Sequence, residues 1–174
     1  MTAGGTTSWH DLALHIISRH CSPGEALRIA KVYLLKWHGE GQLPFQSLVR
    51  RQPHADLVVR RAEDWLARHF RQAHAVSGVV TALGIPERSL KRRFKTATGS
   101  SLMDHVQNLR IEEAKRMLEI GATSAEDIAA SVGYDNAAFF RRLFKRCTGL
   151  TPGAYRRMFR SVISNSIDEP AAAV

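Results

Sequence analysis

Two stretches of this chain, 50 residues apart, repeat one another. GIPERSLKRRFKTATGSSL, from Gly84, matches GYDNAAFFRRLFKRCTGLTP, from Gly133: Leu90 and Phe140, Phe94 and Phe144, and Gly99 and Gly149 are each 50 positions apart. Gly84 and Gly133 are 49 apart, so one residue is inserted in the turn, after Gly133 of the second copy. The short segments VSGVVTAL and AEDIAASV precede the two copies. Each copy therefore reads as helix, Gly-containing tight turn, helix, the helix-turn-helix pattern. Two amphipathic helices that merely pack would not need the same glycine at both turns with the same aromatic and glycine placements downstream. Helical periodicity also dominates outside the repeat and strand alternation is nearly absent, so the expected class is all-α.

Caps and breakers predict helices at about 8–20, 23–37, 55–70, 75–83, 86–98, 101–120, 124–132, 136–147 and 152–160. The stretch from His38 to Pro53, with two glycines and two prolines, reads as a linker, and SNSIDEPAAAV reads as a frayed tail. LMDHVQNLRIEEAKRMLEI, between the repeats, lacks Pro and Gly and as a helix spans about 30 Å. Its apolar residues fall into two stripes, Leu102, Val106, Leu109 and Ile120 on one and Met103, Ile111, Ala114 and Leu118 on the other, as expected of a helix packed on both sides. A dimeric helix-turn-helix protein sets its recognition helices roughly 34 Å apart by symmetry. One chain could reach that spacing through this connecting helix.

The charge sits where the repeat is. Of 25 Lys and Arg, residues 55–160 carry 19 against 11 acids, while the chain as a whole has formal charge +9. A polyanion is the default partner of such a segment. On a helical wheel Leu90, Phe94 and Ala97 form the inner face of the first long repeat helix, and Arg88, Lys91, Arg92, Lys95 and Thr96 the opposite arc, with Glu87 on the core-side flank. In the second copy Phe140, Leu143, Phe144 and Cys147 face inward while Ala138, Arg141, Arg142, Lys145 and Arg146 face out. Helices stabilised by surface ion pairs interleave signs; these arcs carry one sign at matching positions. The major groove admits a helix, whose early turns reach base edges while later basic residues meet phosphates. Arg88, Arg92 and Arg142 are the candidates for base edges, and Lys91, Lys95, Lys145 and Arg146 for phosphates. Asn136, Ala137 and Ala138 make the second helix's opening small and neutral, suited to a thymine methyl, whereas Arg88 suits guanine.

RSLKRRFKTATG, LRIEEAKRMLE and EDIAASVGYDNAAFFRRLFKRCTGLTPGAYRR resemble the AraC/XylS family of bacterial transcription regulators over about residues 55–160. The resemblance implies two helix-turn-helix units joined by a long helix, binding double-stranded DNA in adjacent major-groove segments, and transcriptional activation through RNA polymerase. One departure concerns the first unit. Position 75, matching the capping Ser124, is Ala, and position 78, matching Asp127, is Gly. The lost cap and the mid-helix glycine each cost about 1 kcal/mol, so the first unit is expected to be the looser one.

TAGGTTSWHDLALHIISRHCSPGEALRIAKVYLL, followed by GEGQLPF, resembles the end of the amidase-like sensor domain found in one AraC-type subgroup, the PfpI-like or glutamine-amidotransferase-like regulators. The expected organisation is a helical remnant of that α/β domain plus linker at 1–52, a DNA-binding domain at 53–160 and a disordered tail at 161–174. Both N-terminal helices are apolar on most of their circumference. They are expected to expose apolar surface or to join another chain, a second copy included, as in a shortened chain or a gene truncated at its start.

Cys21 lacks the strand-turn-helix elbow of a cysteine nucleophile, and only one other cysteine, Cys147, is present, so neither catalysis nor a disulfide framework is expected. His10, His15 and His20 recur every five residues, and His69 and His74 are also five apart, which does not make an i,i+4 ligand face; no metal and no cofactor are expected. No signal peptide and no membrane-length apolar run is visible, which places the chain in the cytoplasm. The expected function is sequence-specific DNA binding in transcription. Two alternatives stay open: a nucleic-acid-binding or interaction module without sequence preference, told apart by equal affinity for specific and random duplexes, and an amidase-like hydrolase, told apart by labelling with thiol-directed active-site probes.

Overall fold

The computed structural model describes residues 8–33, 43–49 and 54–167, and among these every regular element is helical. The chain divides into two compact units, Met1–Gln46 and Ser47–Val174. In the first, α1 (Ser8–His20) and α2 (Pro23–Val32) pack on each other, followed by a single 3-10 turn at Leu43–Phe45. Ser22 starts α2 by accepting the Glu25 N–H, with Pro23 at the first helical position, where its missing N–H costs nothing. The helix ends at Val32, short of the expected 37; residues 34–37 lie outside the described ones. Leu14, Ala26 and Ala30 are buried, but Trp9, Ile16, Leu27, Val32 and Tyr33 are exposed. Two short helices cannot enclose apolar residues that occupy most of their circumference, which is the expectation for this segment.

The second unit holds α3 (Leu57–His69), α4 (Ala75–Leu83), α5 (Glu87–Thr98), α6 (Leu102–Ile120), α7 (Ala125–Ser131), α8 (Ala137–Thr148) and α9 (Pro152–Ile167). Two separate apolar cores form on α6. The first gathers Val59, Ala62, Leu66, Val79, Leu90 and Phe94 around Leu102 and Val106; the second gathers Ile128, Val132, Phe140, Phe144 and Tyr155 around Ile111, Ala114 and Leu118. The two stripes expected on α6 are thus divided along its length, N-terminal half to one core and C-terminal half to the other. Met103 and Ile120, assigned to the stripes, are exposed instead, because each lies at an end of α6 where no neighbouring helix covers it.

The repeat is one of hydrogen bonds as well as letters. Thr98 and Thr148 each donate from the side chain to the carbonyl four residues back, Phe94 and Phe144, at 2.8 Å, and accept from the N–H of Ser100 and Leu150. The helix-turn-helix glycines Gly84 and Gly133 have φ of +64° and +93°, a region closed to most side chains. From Gly84 to the first residue of α5 is one position shorter than from Gly133 to the first residue of α8, which is where the inserted residue lies. α9 runs on to Ile167, so residues 161–167, expected in a disordered tail, are helical; residues 168–174 lie outside the described ones. Tyr155 anchors this helix by donating to Glu119 at 2.7 Å and meeting Phe144 edge to face. Burial first, and then the Glu119 carboxylate, push its phenol far above the ordinary tyrosine range, so it stays a donor.

Two readings of the first unit need correction. The cap of α4 is His74, one residue before the Ala75 assigned to that place, and it makes no side-chain cap bond; Ser124 does cap α7, receiving the Asp127 N–H at 3.0 Å. Gly78 is not a defect in α4. A Cβ there would lie 2.6 Å from the far ring edge of Trp65, whose indole stacks on His69 at 4.1 Å and packs on the first core. The helix-propensity loss at Gly78 is therefore the condition for seating Trp65, and a looser first unit does not follow from it.

Candidate nucleic-acid interface

α5 and α8 form because each repeats an apolar residue at helical spacing and ends on a glycine. Leu90 and Phe94 of α5 are fully buried, as are Phe140 and Phe144 of α8, so the remaining arc of each helix must face solvent. Arg88, Lys91, Arg92 and Lys95 are all exposed on α5, and Ala138, Arg141, Arg142, Lys145 and Arg146 on α8. The wheel thus places every nominated cation on the outer surface. Asn136 is the cap of α8: its Oδ1 accepts the Phe139 N–H at 2.8 Å, which leaves its amide donors as the free part of the side chain.

Two carboxylates reach these arcs. Glu87, placed on the core-side flank from the sequence, is exposed and pairs with Lys91 at 2.5 Å, one helical turn on. Glu126, from α7, pairs with Arg141. Both pairs are half-exposed, and such pairs contribute roughly 0.2–1 kcal/mol, less than a phosphate bound to two cations can return. They order Lys91 and Arg141 in the free protein without withholding them from a polyanion. Arg88, Arg92, Lys95, Arg142 and Lys145 have no ion pair among the described residues.

Arg93, inside the same basic run, is engaged otherwise. Its Nε and Nη2 donate to the two oxygens of Asp56 at 2.9 and 2.8 Å, while Asp56 caps α3 by accepting from the N–H groups of Val58 and Val59. The Arg93 hydrogen bonds, with the two backbone N–H groups behind them and against partial burial, hold the Asp56 carboxyl below its ordinary 3.8. Arg93 therefore ties α5 to α3.

The opening turns of α5 and α8 meet one cleft. Glu87 and Lys91 line it from α5 and Phe139 from α8, with Met103 of α6 and Tyr134 of the second turn between them, around a volume of about 610 Å³. Phe139 is 42% exposed, its ring 5.8 Å from that of Tyr134. Sequence periodicity passed it over because it is neither in the core nor charged; an aromatic at the third position of an outward-facing helix start was the available signal. The starts of the two helices thus border one cleft, which Lys91 is the only nominated cation to line. Among the described residues no group of three or more His, Cys, Asp or Glu side chains could hold a metal ion, and no helix is long and apolar enough to cross a membrane.

Residues 79–158 match a family model described as a helix-turn-helix domain. The transcriptional activator RhaR of Yersinia pseudotuberculosis is 36% identical over 116 residues, covering 66% of this chain and 39% of its own length. This chain therefore spans about two fifths of that relative. Among solved structures, the C-terminal domain of AraT, a response regulator from Geobacillus stearothermophilus, is 30% identical with TM-score 0.58, over 61% of this chain and 88% of its own. The DNA-binding domain of AdpA, in complex with a target DNA, is 26% identical with TM-score 0.56, over 60% of this chain and 94% of its own.

Proposed function

The chain belongs to the AraC-type helix-turn-helix family, and on that premise we propose that it is a sequence-specific DNA-binding transcription regulator whose two units read adjacent major-groove segments. The observation that carries this is the pairing of two outward cationic arcs, on α5 and α8, with the fully buried residues on their inner faces. Arg88, Arg92 and Arg142 take base edges, since arginine pairs two-pronged with guanine. Lys91, Lys95, Arg141, Lys145 and Arg146 take phosphates, and Asn136 and Ala138 lie close to the bases at the start of α8. The AdpA domain bound to its target DNA supports double-stranded DNA as the partner class.

Activation is the mode we assign, supported by the description of RhaR as a transcriptional activator, with RNA polymerase as the partner that the family resemblance implies. Residues 1–52 we assign to the end of an amidase-like sensor domain and 53–160 to DNA binding. The exposed Trp9, Ile16, Leu27, Val32 and Tyr33 support this, being surface that a larger domain or a second copy would cover.

Selection of bound duplexes from a random pool tests the function. Two short conserved blocks, centred roughly 10 base pairs apart, are expected. Enrichment of no sequence at all would leave the nucleic-acid module without sequence preference as the better account.

A further inference from the structure

We propose that Arg110 sets the spacing between the two DNA segments this chain reads, by locking its two helix-turn-helix units in one mutual orientation; this rests on the two-segment reading above. Arg110 lies halfway along α6 and is only 8% exposed. Its guanidinium donates to three backbone carbonyls: Nε to Phe70 at 2.7 Å, Nη2 to Gln72 at 2.8 Å and Nη1 to Gly133 at 2.9 Å. Phe70 and Gln72 belong to the segment joining α3 to α4, in the first unit; Gly133 begins the turn from α7 into α8, in the second. Its carbon also sits 4.9 Å from the centre of the Tyr134 ring, in that same turn. One side chain thus holds a backbone segment of each unit.

The contact leaves no slack. A Cβ on Gly133 would fall 2.3 Å from the Arg71 carbonyl oxygen and 3.0 Å from Arg110 Nη2, so the turn and the segment touch backbone to backbone. Glu113, one turn further along α6, adds a second tie by accepting from Arg71 at 2.6 Å. The apolar interior cannot do this job. The two cores have no buried residue in common and share only α6, so bending or twisting of that helix would swing one unit against the other. A three-carbonyl clamp across the middle of α6 blocks that swing. α8 follows directly from the clamped turn, and α5 packs on α4, which starts from the clamped segment, so the separation and relative rotation of α5 and α8 are fixed with it. The planar guanidinium suits the task, since it offers five donors in a rigid fork.

The test is a spacing profile. Affinity of the full chain is measured for a selected site and for versions with one or two base pairs inserted or deleted between its two blocks; each added pair turns the far block by about 35°. The wild-type chain is expected to lose binding sharply away from the native spacing. Arg110→Met is expected to flatten that profile, the penalty for a changed spacing shrinking roughly tenfold, on the order of one lost charge-assisted hydrogen bond. Arg110→Lys, which keeps the charge but not the fork, guards against a variant that fails to fold and is expected to flatten it partly. Uniformly weaker binding with the sharp profile intact, in either folded variant, would reduce Arg110 to a stabilising residue and overturn the inference alone. A wild-type chain indifferent to spacing would overturn the two-segment reading, and this inference with it.

Discussion

Arg93 sits between Arg92 and Phe94 in the most basic stretch of the chain, yet its hydrogen bonds go to Asp56. The wheel left Arg93 off the outward arc, which agrees, but nothing in its own helix names the partner, because Asp56 belongs to another element. The same holds for Glu126 and Arg141 and for Arg110. Periodicity reveals which side of a helix a residue occupies; partners are settled by tertiary approach. Asp56 yields a signed prediction. Its carboxyl lies below its ordinary value, so the stability it confers is complete above that value and is lost as pH falls through the lower folded one. Asp56→Asn is expected to melt at a lower temperature than wild type at pH 7, with the two curves converging well below pH 3.8; a gap unchanged at acid pH would contradict the charge-based account. The outward cations divide by role. Arg142→Ala is expected to cost about 1–3 kcal/mol at the preferred site and to relax preference at one position, whereas Lys145→Ala should weaken all duplexes alike and shallow the salt slope by about one. Equal effects of Arg142→Ala on preferred and random duplexes would move it to the phosphate group.

Helix ends were legible wherever a local signal marks them: the Ser124 and Asp127 pair at the start of α7, the glycines after α5 and α8, and Pro23 in α2. They were misjudged where the signal is weak. α9 has no glycine or proline between Gly153 and Pro170 to mark its expected end and continues to Ile167, while α2 stops at Val32 without any breaker. Gly78 shows how an element can contradict its own propensity for a tertiary reason. Alanine there gains up to about 1 kcal/mol of helix propensity but collides with Trp65, and overpacking costs typically 1–3 kcal/mol. Gly78→Ala is therefore expected to lower the melting temperature of the DNA-binding unit, and Gly78→Ala combined with Trp65→Leu to recover part of the loss. A higher melting temperature for the single variant would mean that the Trp65 ring is free to move aside.

At the scale of the molecule, the duplication predicted two like units on one long helix, and the two cores of the second compact unit are arranged that way. What the repeat could not convey is the junction, because Arg110 reads backbone carbonyls and leaves no mark of side-chain type at Phe70 or Gln72, while the glycine at 133 is already required by the turn. The excess of base over acid in residues 55–160 makes binding to any duplex salt-sensitive: engaging about 6–10 phosphates would lose roughly 10³ to 10⁵ in affinity between 50 and 200 mM salt. Salt sensitivity alone does not separate one docked helix from two. Methylation interference does, because a methyl on guanine N7 blocks only close contacts in the major groove. Across a selected site, two clusters of interfering guanines roughly 10 base pairs apart on one face of the duplex are predicted, the first losing its effect on preference in Arg88→Ala and the second in Arg142→Ala. A single cluster, or two clusters that respond identically to both substitutions, would contradict the account.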